Sequence, residues 1–189
     1  MRRIAPDRDG LLAMIGEVFR EHGYEGASLA LIGAATGLGK GSLYHFFPGG
    51  KEEMASAVIA HIDGWFENNV FAPLRDSTDP QVGIERMLEA TDSYFRSGRR
   101  VCLIGALALE ESRDLFAGQI KDYFGRWVTH LAEALARSGR RLDEAGELAE
   151  ETVAAIQGAL TLARAAKDLD VFSRALRRLR MRLGPPAKI

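Results

Sequence analysis

Residues 29–47 read LALIGAATGLGKGSLYHFF, and this stretch decides the fold of the N-terminal part of the chain. Ile32 and Leu43 stand where a helix-turn-helix needs side chains that fill the crevice between its two helices. Gly33 is small enough for the helices to cross closely, and Gly37 can adopt the positive φ angle that the turn requires. The spacing therefore predicts a helix-turn-helix over these residues.

The second helix of this motif is expected to have an outward polar face. Its Phe46 is expected to point inward, into the same core as Ile32 and Leu43. A lysine can neutralise a phosphate or donate to guanine, and serine and histidine can bond to base edges. A tyrosine can reach the backbone or pack on a thymine methyl, and a glycine lets the helix come close to the DNA. The alternative is a helical hairpin whose glycines serve packing only. The candidate DNA contacts on this face are Lys40, Gly41, Ser42, Tyr44 and His45.

The charge of this region is balanced overall but uneven along the chain. Residues 1–50 contain five basic and five acidic side chains, so they form no large basic patch. Residues 26–50 contain no acid, which keeps the candidate contact face free of repulsion by phosphates. Arg2 and Arg3 form either a mobile arm for a minor groove or a solvated terminus.

The rest of the chain repeats apolar residues at helical spacing, with no alternating β-branched run and no hairpin signal. Ser28 and Asp79 are N-cap residues, and Pro80 suits a first helical position. Gly23 is expected to end the first helix and Pro73 the fourth. These signals predict an all-α protein of about nine helices. We expect a three-helix DNA-binding domain at 1–50, joined directly by the fourth helix to a helical ligand-binding and dimerisation domain at 51–189.

Composition excludes several other classes of protein. The chain has 189 residues, 25 basic and 26 acidic, a net charge of −1 and 47% hydrophobic residues, which is typical of a globular protein rather than a disordered one. A single cysteine excludes a disulfide scaffold and a multi-cysteine zinc site. No HExxH, GxSxG or CxxC motif is present. We therefore expect no catalytic residues, no metal and no cofactor, and an enzyme is the least favoured class.

We expect no signal peptide and no membrane span in this sequence. The first ten residues, MRRIAPDRDG, contain no apolar segment of a signal peptide. Outside the first fifty residues, the longest stretch without charge is residues 152–163, which is shorter than the roughly 20 apolar residues that a bilayer requires. The expected location is the cytoplasm, without membrane association.

Two further runs extend the helix-turn-helix pattern into a family resemblance. Residues 19–29, FREHGYEGASL, and 37–54, GLGKGSLYHFFPGGKEEM, resemble the N-terminal domain of TetR-family transcriptional regulators. Residues 102–112 and 156–179 are similar to the LmrA/YxaF-like branch of that family. The resemblance implies operator contacts from Lys40, Ser42, Tyr44 and His45, and phosphate contacts from Ser28 and Lys51.

The sequence departs from the family pattern at two positions. Gly33 replaces the usual alanine, and Gly39 replaces the usual serine-like cap. We therefore expect a less rigid recognition unit.

The resemblance also implies a ligand cavity between the helices of the body. Gln157 and Thr161 are uncharged polar groups in an apolar stretch, so they are candidate anchors. They could equally bond across a subunit interface, and most of the aromatic residues could simply fill the core. The candidate lining is Phe66, Tyr94, Phe95, Leu103, Leu107, Phe116, Tyr123, Phe124 and Trp127.

The charge-free residues 152–163 indicate a homodimer. A helix without a solvent face is buried on all sides, so one side needs a partner. A two-fold four-helix interface, which the resemblance also implies, would place two recognition helices about one DNA turn apart. The candidate interface residues are Ala154, Ala155, Gly158, Ala159, Phe172, Leu176 and Leu179.

The sequence thus predicts a dimeric repressor that binds a palindromic operator on double-stranded DNA. A small, largely apolar effector would shift the fourth helix, change the spacing of the recognition helices and release the operator. The alternative is a helical small-molecule binding protein that does not bind an operator.

Overall fold

The computed structural model describes residues 7–185, and all regular structure in that range is helical. A π-helical turn (Glu67–Phe71) joins the fourth helix to the fifth, and a 3₁₀ helix (Glu111–Phe116) runs into the eighth. The helices are α1 (Arg8–Gly26), α2 (Leu29–Thr36), α3 (Lys40–Phe46), α4 (Gly50–Phe66), α5 (Ala72–Asp76), α6 (Pro80–Tyr94), α7 (Leu103–Leu107), α8 (Ala117–Arg137), α9 (Leu142–Ala166) and α10 (Asp170–Leu183). Because α4, the π turn and α5 are continuous, the described residues form nine separate helices, and the all-α prediction is confirmed. The arm considered at Arg2 and Arg3 lies outside the described residues.

Most helix boundaries lie at the residues that local chemistry indicates. The Asp79 carboxylate accepts a hydrogen bond from the backbone amide two residues later at 2.9 Å and caps α6. Gly23, with φ 69° and ψ 173°, interrupts α1 just before its last three residues. The expected stop at Pro73 is wrong. Helix α4 loosens into the π turn after Phe66, and Pro73 instead lies directly after that turn, as the second residue of α5.

The described residues divide into two compact units, and unit 1 contains the residues up to Gly64 together with Leu103–Ile120. Within it, α1 packs against α2 and α7. This division differs from the boundary expected at residue 50, because Val58 of α4 lies against Gly16 of α1 and α7 packs on α1. The buried core of unit 1 includes Leu11, Ile15, Phe19, Ile32, Leu43, Phe47 and Met54.

Unit 2 contains Trp65–Cys102 and the described residues from Lys121 onward. Helix α10 packs against α9 and α6, and α6 packs in turn against α5 and the π turn. Gly83 makes that last contact possible, because a Cβ atom there would stand 2.5 Å from the carbonyl oxygen of Pro73. Large aromatic side chains fill the core of this unit, and Trp127 is 0% exposed.

Candidate functional site

A helix-turn-helix in unit 1 is built from α2, the residues 37–39 and α3. The Ser28 hydroxyl oxygen accepts a hydrogen bond from the backbone N of Leu31 at 3.2 Å and caps α2. Gly37 adopts φ 71°, in the left-handed region. A Cβ atom at Gly33 would stand 2.9 Å from the carbonyl oxygen of Leu38, so glycine is what lets the turn fold back this closely. The cap at 28, the turn at 37 and the close approach at 33 are therefore confirmed.

The core under this motif differs from the expected one by one residue. Ile32 and Leu43 are fully buried, as predicted. Phe46 does not join them: it is half-buried, and its ring centre lies 5.9 Å from that of His45. The next residue, Phe47, is fully buried in its place, because α3 ends at Phe46 and the backbone leaves the helical conformation at Phe47.

The outward face of α3 is exposed over its whole length. Tyr44 is 42% exposed, and the Lys40 Nζ lies 6.0 Å from the centre of its ring. A Cβ atom at Gly41 would meet nothing within 4 Å, so this part of the helix surface is open. Ser42 and His45 are exposed as well. All five predicted contact residues therefore lie on an accessible surface with no acidic residue on α2 or α3.

The start of α3 has a glycine, Gly39, where the family usually has a serine-like cap. Gly39 occupies the N-cap position and makes no side-chain hydrogen bond to the helix. Helix α3 therefore begins with its first backbone N–H groups uncapped by a side chain, and these groups remain donors that an anion can use.

The phosphate contact that the resemblance implies for Lys51 comes from its backbone amide. It is the second residue of α4, so its backbone amide lies in the first turn of a helix. Its ammonium group, however, donates to the carbonyl oxygen of Tyr24 at 2.9 Å and lies 4.4 Å from the centre of the Tyr24 ring. Burial, followed by the negative charges of Glu52 and Glu25, raises the pKa of the Tyr24 phenol above its ordinary value. Lys51 therefore ties α4 to the end of α1.

A second contact at the end of α1 was not foreseen from the sequence. The Glu110 carboxylate accepts a hydrogen bond from the backbone N of Tyr24 at 3.0 Å and another from the Ser112 hydroxyl at 3.4 Å. A Cβ atom at Gly23 would stand 3.0 Å from the Glu110 Oε1. The Phe116 ring contacts the Tyr24 ring edge-on, with centres 5.3 Å apart. Residues 103–120 are thereby fixed to the helix that carries the helix-turn-helix.

An aromatic cluster centred on Phe66 lies in unit 2. The ring centre of Phe66 is 4.8 Å from that of Tyr94 and 5.0 Å from that of Tyr123. Its distance to the Trp127 ring is 5.2 Å. The buried indole N–H of Trp127 has no hydrogen-bond acceptor among the described residues. Phe95 joins the cluster, with its ring centre 6.2 Å from that of Phe66. A buried donor without an acceptor, set among aromatic rings, is a feature that a ligand can use as an anchor.

The other residues of the predicted ligand lining are dispersed. Phe124 is half-buried beside the cluster. Leu103, Leu107 and Phe116 are buried but belong to unit 1. Gln157 is half-buried in unit 2, and its Nε2 is a buried donor without an acceptor. Thr161 does not line the interior, because it is exposed and its hydroxyl donates to the carbonyl oxygen of Gln157 at 3.2 Å.

Helix α9 carries an exposed stripe of small and apolar residues on the side away from its own unit. Ala154, Ala155 and Gly158 lie on it as predicted, and Leu162, which the sequence analysis did not select, is 60% exposed. Ala159 is buried in its own unit. We call this surface, residues 154, 155, 158, 161 and 162, the α9 stripe.

The α10 residues of the predicted interface require a correction. In the single chain Phe172, Leu176 and Leu179 are already buried and form part of the core of unit 2. The ring of Phe172 lies 6.1 Å from that of Phe95, and its Cβ closely approaches Gly98. Their apolar spacing indicated a buried helix face, but that face is turned toward their own chain.

In the range 7–185 no group of three or more His, Cys, Asp and Glu residues is placed to hold a metal ion. Within the same range no helix is both long and apolar enough to cross a membrane.

Models of known protein families match both the N-terminal and the C-terminal part of the chain. A family model described as "Bacterial regulatory proteins, tetR family" matches residues 11–58. A second, described as "Transcriptional regulator LmrA/YxaF-like, C-terminal domain", matches residues 80–178, which is more than half of the chain. The HTH-type transcriptional regulator YxaF of Bacillus subtilis (strain 168) is 28% identical over 165 residues, which cover 85% of this chain and 86% of that relative.

Solved structures share the fold. A TetR transcriptional regulator from Legionella pneumophila aligns with a TM-score of 0.82 at 20% identity, over 95% of this chain and 98% of that chain. A cysteine mutant of the TetR-family regulator CifR, complexed with 26 bp double-strand operator DNA, aligns with a TM-score of 0.71 at 27% identity. That alignment covers 93% of this chain and 98% of the CifR chain.

Proposed function

Because the chain belongs to the TetR family of bacterial transcriptional regulators, in its LmrA/YxaF-like branch, we propose that it is a repressor that binds a palindromic operator as a homodimer. It is a DNA-binding regulator and not an enzyme. In this proposal a small, largely apolar effector releases the operator, and the protein acts in the cytoplasm, where bacterial DNA is located.

The exposed face of α3 is the observation that carries the proposal. A short helix with lysine, serine, tyrosine and histidine outward, and with Ile32 and Leu43 inward, has the chemistry of a recognition helix in a major groove. Gly41 leaves room for the backbone to approach the DNA. The neighbouring amide of Lys51, in the first turn of α4, supplies a donor for a phosphate while its ammonium group holds α1.

A second copy of the chain is the proposed partner of the α9 stripe. Ala154 and Gly158 permit close approach of a second helix, and Leu162 offers an apolar side chain that is exposed in the single chain. Two-fold pairing along this stripe would present two α3 helices to the two halves of a palindrome.

The aromatic cluster of unit 2 is the proposed effector site. Its rings favour an apolar ligand, and the buried indole N–H of Trp127 favours one that carries a hydrogen-bond acceptor. Phe66, at the centre of the cluster, is the last residue of α4. In this proposal the effector shifts α4 and thereby changes the spacing of the two recognition helices of the dimer.

The test is operator binding by a Tyr44→Ala variant. DNase footprinting of the intergenic region beside the gene first locates the operator, and fluorescence anisotropy then measures its affinity. We expect Tyr44→Ala to lower operator affinity at least tenfold and to leave the dimer intact, because the side chain is exposed and outside the core.

Val82→Ala is a matched control, because Val82 is 43% exposed and lies in unit 2. It should bind the operator like the unaltered protein. Full operator affinity in Tyr44→Ala would contradict the role of α3. Absence of any footprint, together with retention of a small molecule, would favour the alternative of a ligand-binding protein.

A further inference from the structure

A basic pocket in unit 2 lies where the turn after α6 meets the connection between α9 and α10. It encloses about 330 Å³. Four of its lining residues are cationic, Arg99, Arg100, Arg164 and Lys167, and no acidic residue lines it. Leu160 and Leu169 supply part of an apolar wall.

Three of the four cations of this pocket have no carboxylate partner among the described residues. Among residues 7–185, Arg99, Arg164 and Lys167 form no ion pair, and the one hydrogen bond of the Arg99 guanidinium is to a backbone carbonyl oxygen at 3.4 Å. The nearest acid in sequence, Asp168, is engaged with Arg174 at 2.8 Å. Positive charge is therefore available to a ligand.

The partial negative charges of two nearby helix C-termini offset only part of the positive charge of the pocket. The pocket follows the C-terminal ends of α6 and α9, and each helix C-terminus carries about half a negative charge. Two ends therefore offset roughly one of the three positive charges of Arg99, Arg164 and Lys167. The remaining positive charge is solvated in the free protein, because these three side chains are exposed, and it is available to an anionic ligand.

The backbone that carries Arg99 and Arg100 forms a defined turn. Arg96, Ser97 and Gly98 have consecutive positive φ angles of 50°, 52° and 89°. Two hydrogen bonds of 3.0 Å maintain this turn: the amide of Ser97 donates to the carbonyl oxygen of Asp92 in α6, and the amide of Arg100 donates to that of Phe95. Gly98 packs against α10 so closely that a Cβ atom would stand 2.8 Å from the Cβ of Phe172. The guanidinium of Arg100 is held 4.6 Å from the centre of the Tyr94 ring.

We infer that this pocket binds a small organic anion with a doubly charged head group, of the phosphate monoester class. Guanidinium groups match phosphate oxygens in pairs, and a lysine ammonium adds a point charge. The head group lies among Arg99, Arg164 and Lys167, and the organic part of the ligand lies on Leu160 and Leu169. The volume fits a small molecule.

This site is independent of the proposed operator and effector sites. Its α9 residues, 160, 164 and 167, lie on a different side of the helix from the α9 stripe. A failure of either proposal would therefore leave the other standing.

The test uses phenyl phosphate as the probe, with benzyl alcohol as its neutral counterpart, in isothermal titration calorimetry on the full chain. We expect phenyl phosphate to bind, benzyl alcohol not to bind, and inorganic phosphate to bind more weakly because it lacks the apolar part. Arg164→Gln should weaken phenyl phosphate binding about tenfold, since it removes a charge-assisted contact. Raising the salt concentration should weaken binding further.

Arg178→Gln is the matched control, because it removes an exposed arginine of the same unit that does not line the pocket. It should change the affinity less than twofold. Absence of phenyl phosphate binding, an unchanged affinity in Arg164→Gln, or an equal loss in both variants would overturn the inference.

Discussion

The contact between Glu110 and the end of α1 predicts how strongly residues 103–120 stabilise the helix-turn-helix unit. In Glu110→Ala the buried amide of Tyr24 loses its acceptor, and such an unsatisfied group costs about 1–3 kcal/mol. We therefore expect the free energy of unfolding to fall by about 2 kcal/mol. In a chain of this length that corresponds to a fall in melting temperature of roughly 4–8 °C. Glu110→Gln keeps an oxygen acceptor but loses its charge, so about 1 kcal/mol should be lost.

Thermal and urea unfolding followed by circular dichroism measure these differences. The matched control is Glu111→Ala, because Glu111 is exposed and has no hydrogen-bond or ion-pair partner among the described residues. It should change stability by less than about 0.5 kcal/mol. If Glu110→Ala is as stable as Glu111→Ala, or if the glutamine variant is less stable than the alanine variant, the contact does not hold α1 as argued.

Two further substitutions test the packing of unit 2 and the α9 stripe. Gly98→Ala places a Cβ atom 2.8 Å from the Cβ of Phe172 at a φ of 89°, so we expect a loss of about 2 kcal/mol or more in urea unfolding. In the control Gly125→Ala on α8, the new Cβ atom meets nothing within 4 Å, so the free energy of unfolding should rise by about 0.5–1 kcal/mol. Equal effects of the two substitutions would refute this account. Leu162→Glu, on the stripe, should convert dimers into monomers in sedimentation velocity. The control Leu142→Glu should leave the dimer intact, because Leu142 is 82% exposed and lies outside the α9 stripe. A dimer that persists in Leu162→Glu would exclude the proposed interface.

The sequence predicted the features that depend on a few neighbouring residues. Ser28, Gly37 and Asp79 act through hydrogen bonds or backbone angles within one turn, so their residue types alone indicate a cap or a turn. The burial of Ile32 and Leu43 could be predicted because both residues belong to one short motif, the helix-turn-helix. Helical periodicity likewise sufficed for the all-α class.

The features that the sequence did not predict depend on contacts between distant segments. Glu110 lies 86 residues from Tyr24, and only the packing of α7 on α1 makes the carboxylate an acceptor there. The spacing of Phe172 shows that one face of α10 is buried but not which partner covers it. Thr161 is polar in an apolar stretch, yet its direction on α9 places it outside the unit.

The salt dependence of operator binding in Lys40→Ala tests the central claim most directly, namely that α3 lies against DNA. Loss of one phosphate contact lowers the slope of log affinity against log salt concentration by roughly 0.9, so a dimer that loses two should lose roughly 1.8. Lys121→Ala is the control, because Lys121 is an exposed lysine on α8. We expect a weaker affinity and a smaller slope only in Lys40→Ala. Affinity and slope equal to those of Lys121→Ala would contradict the placement of α3 on the operator.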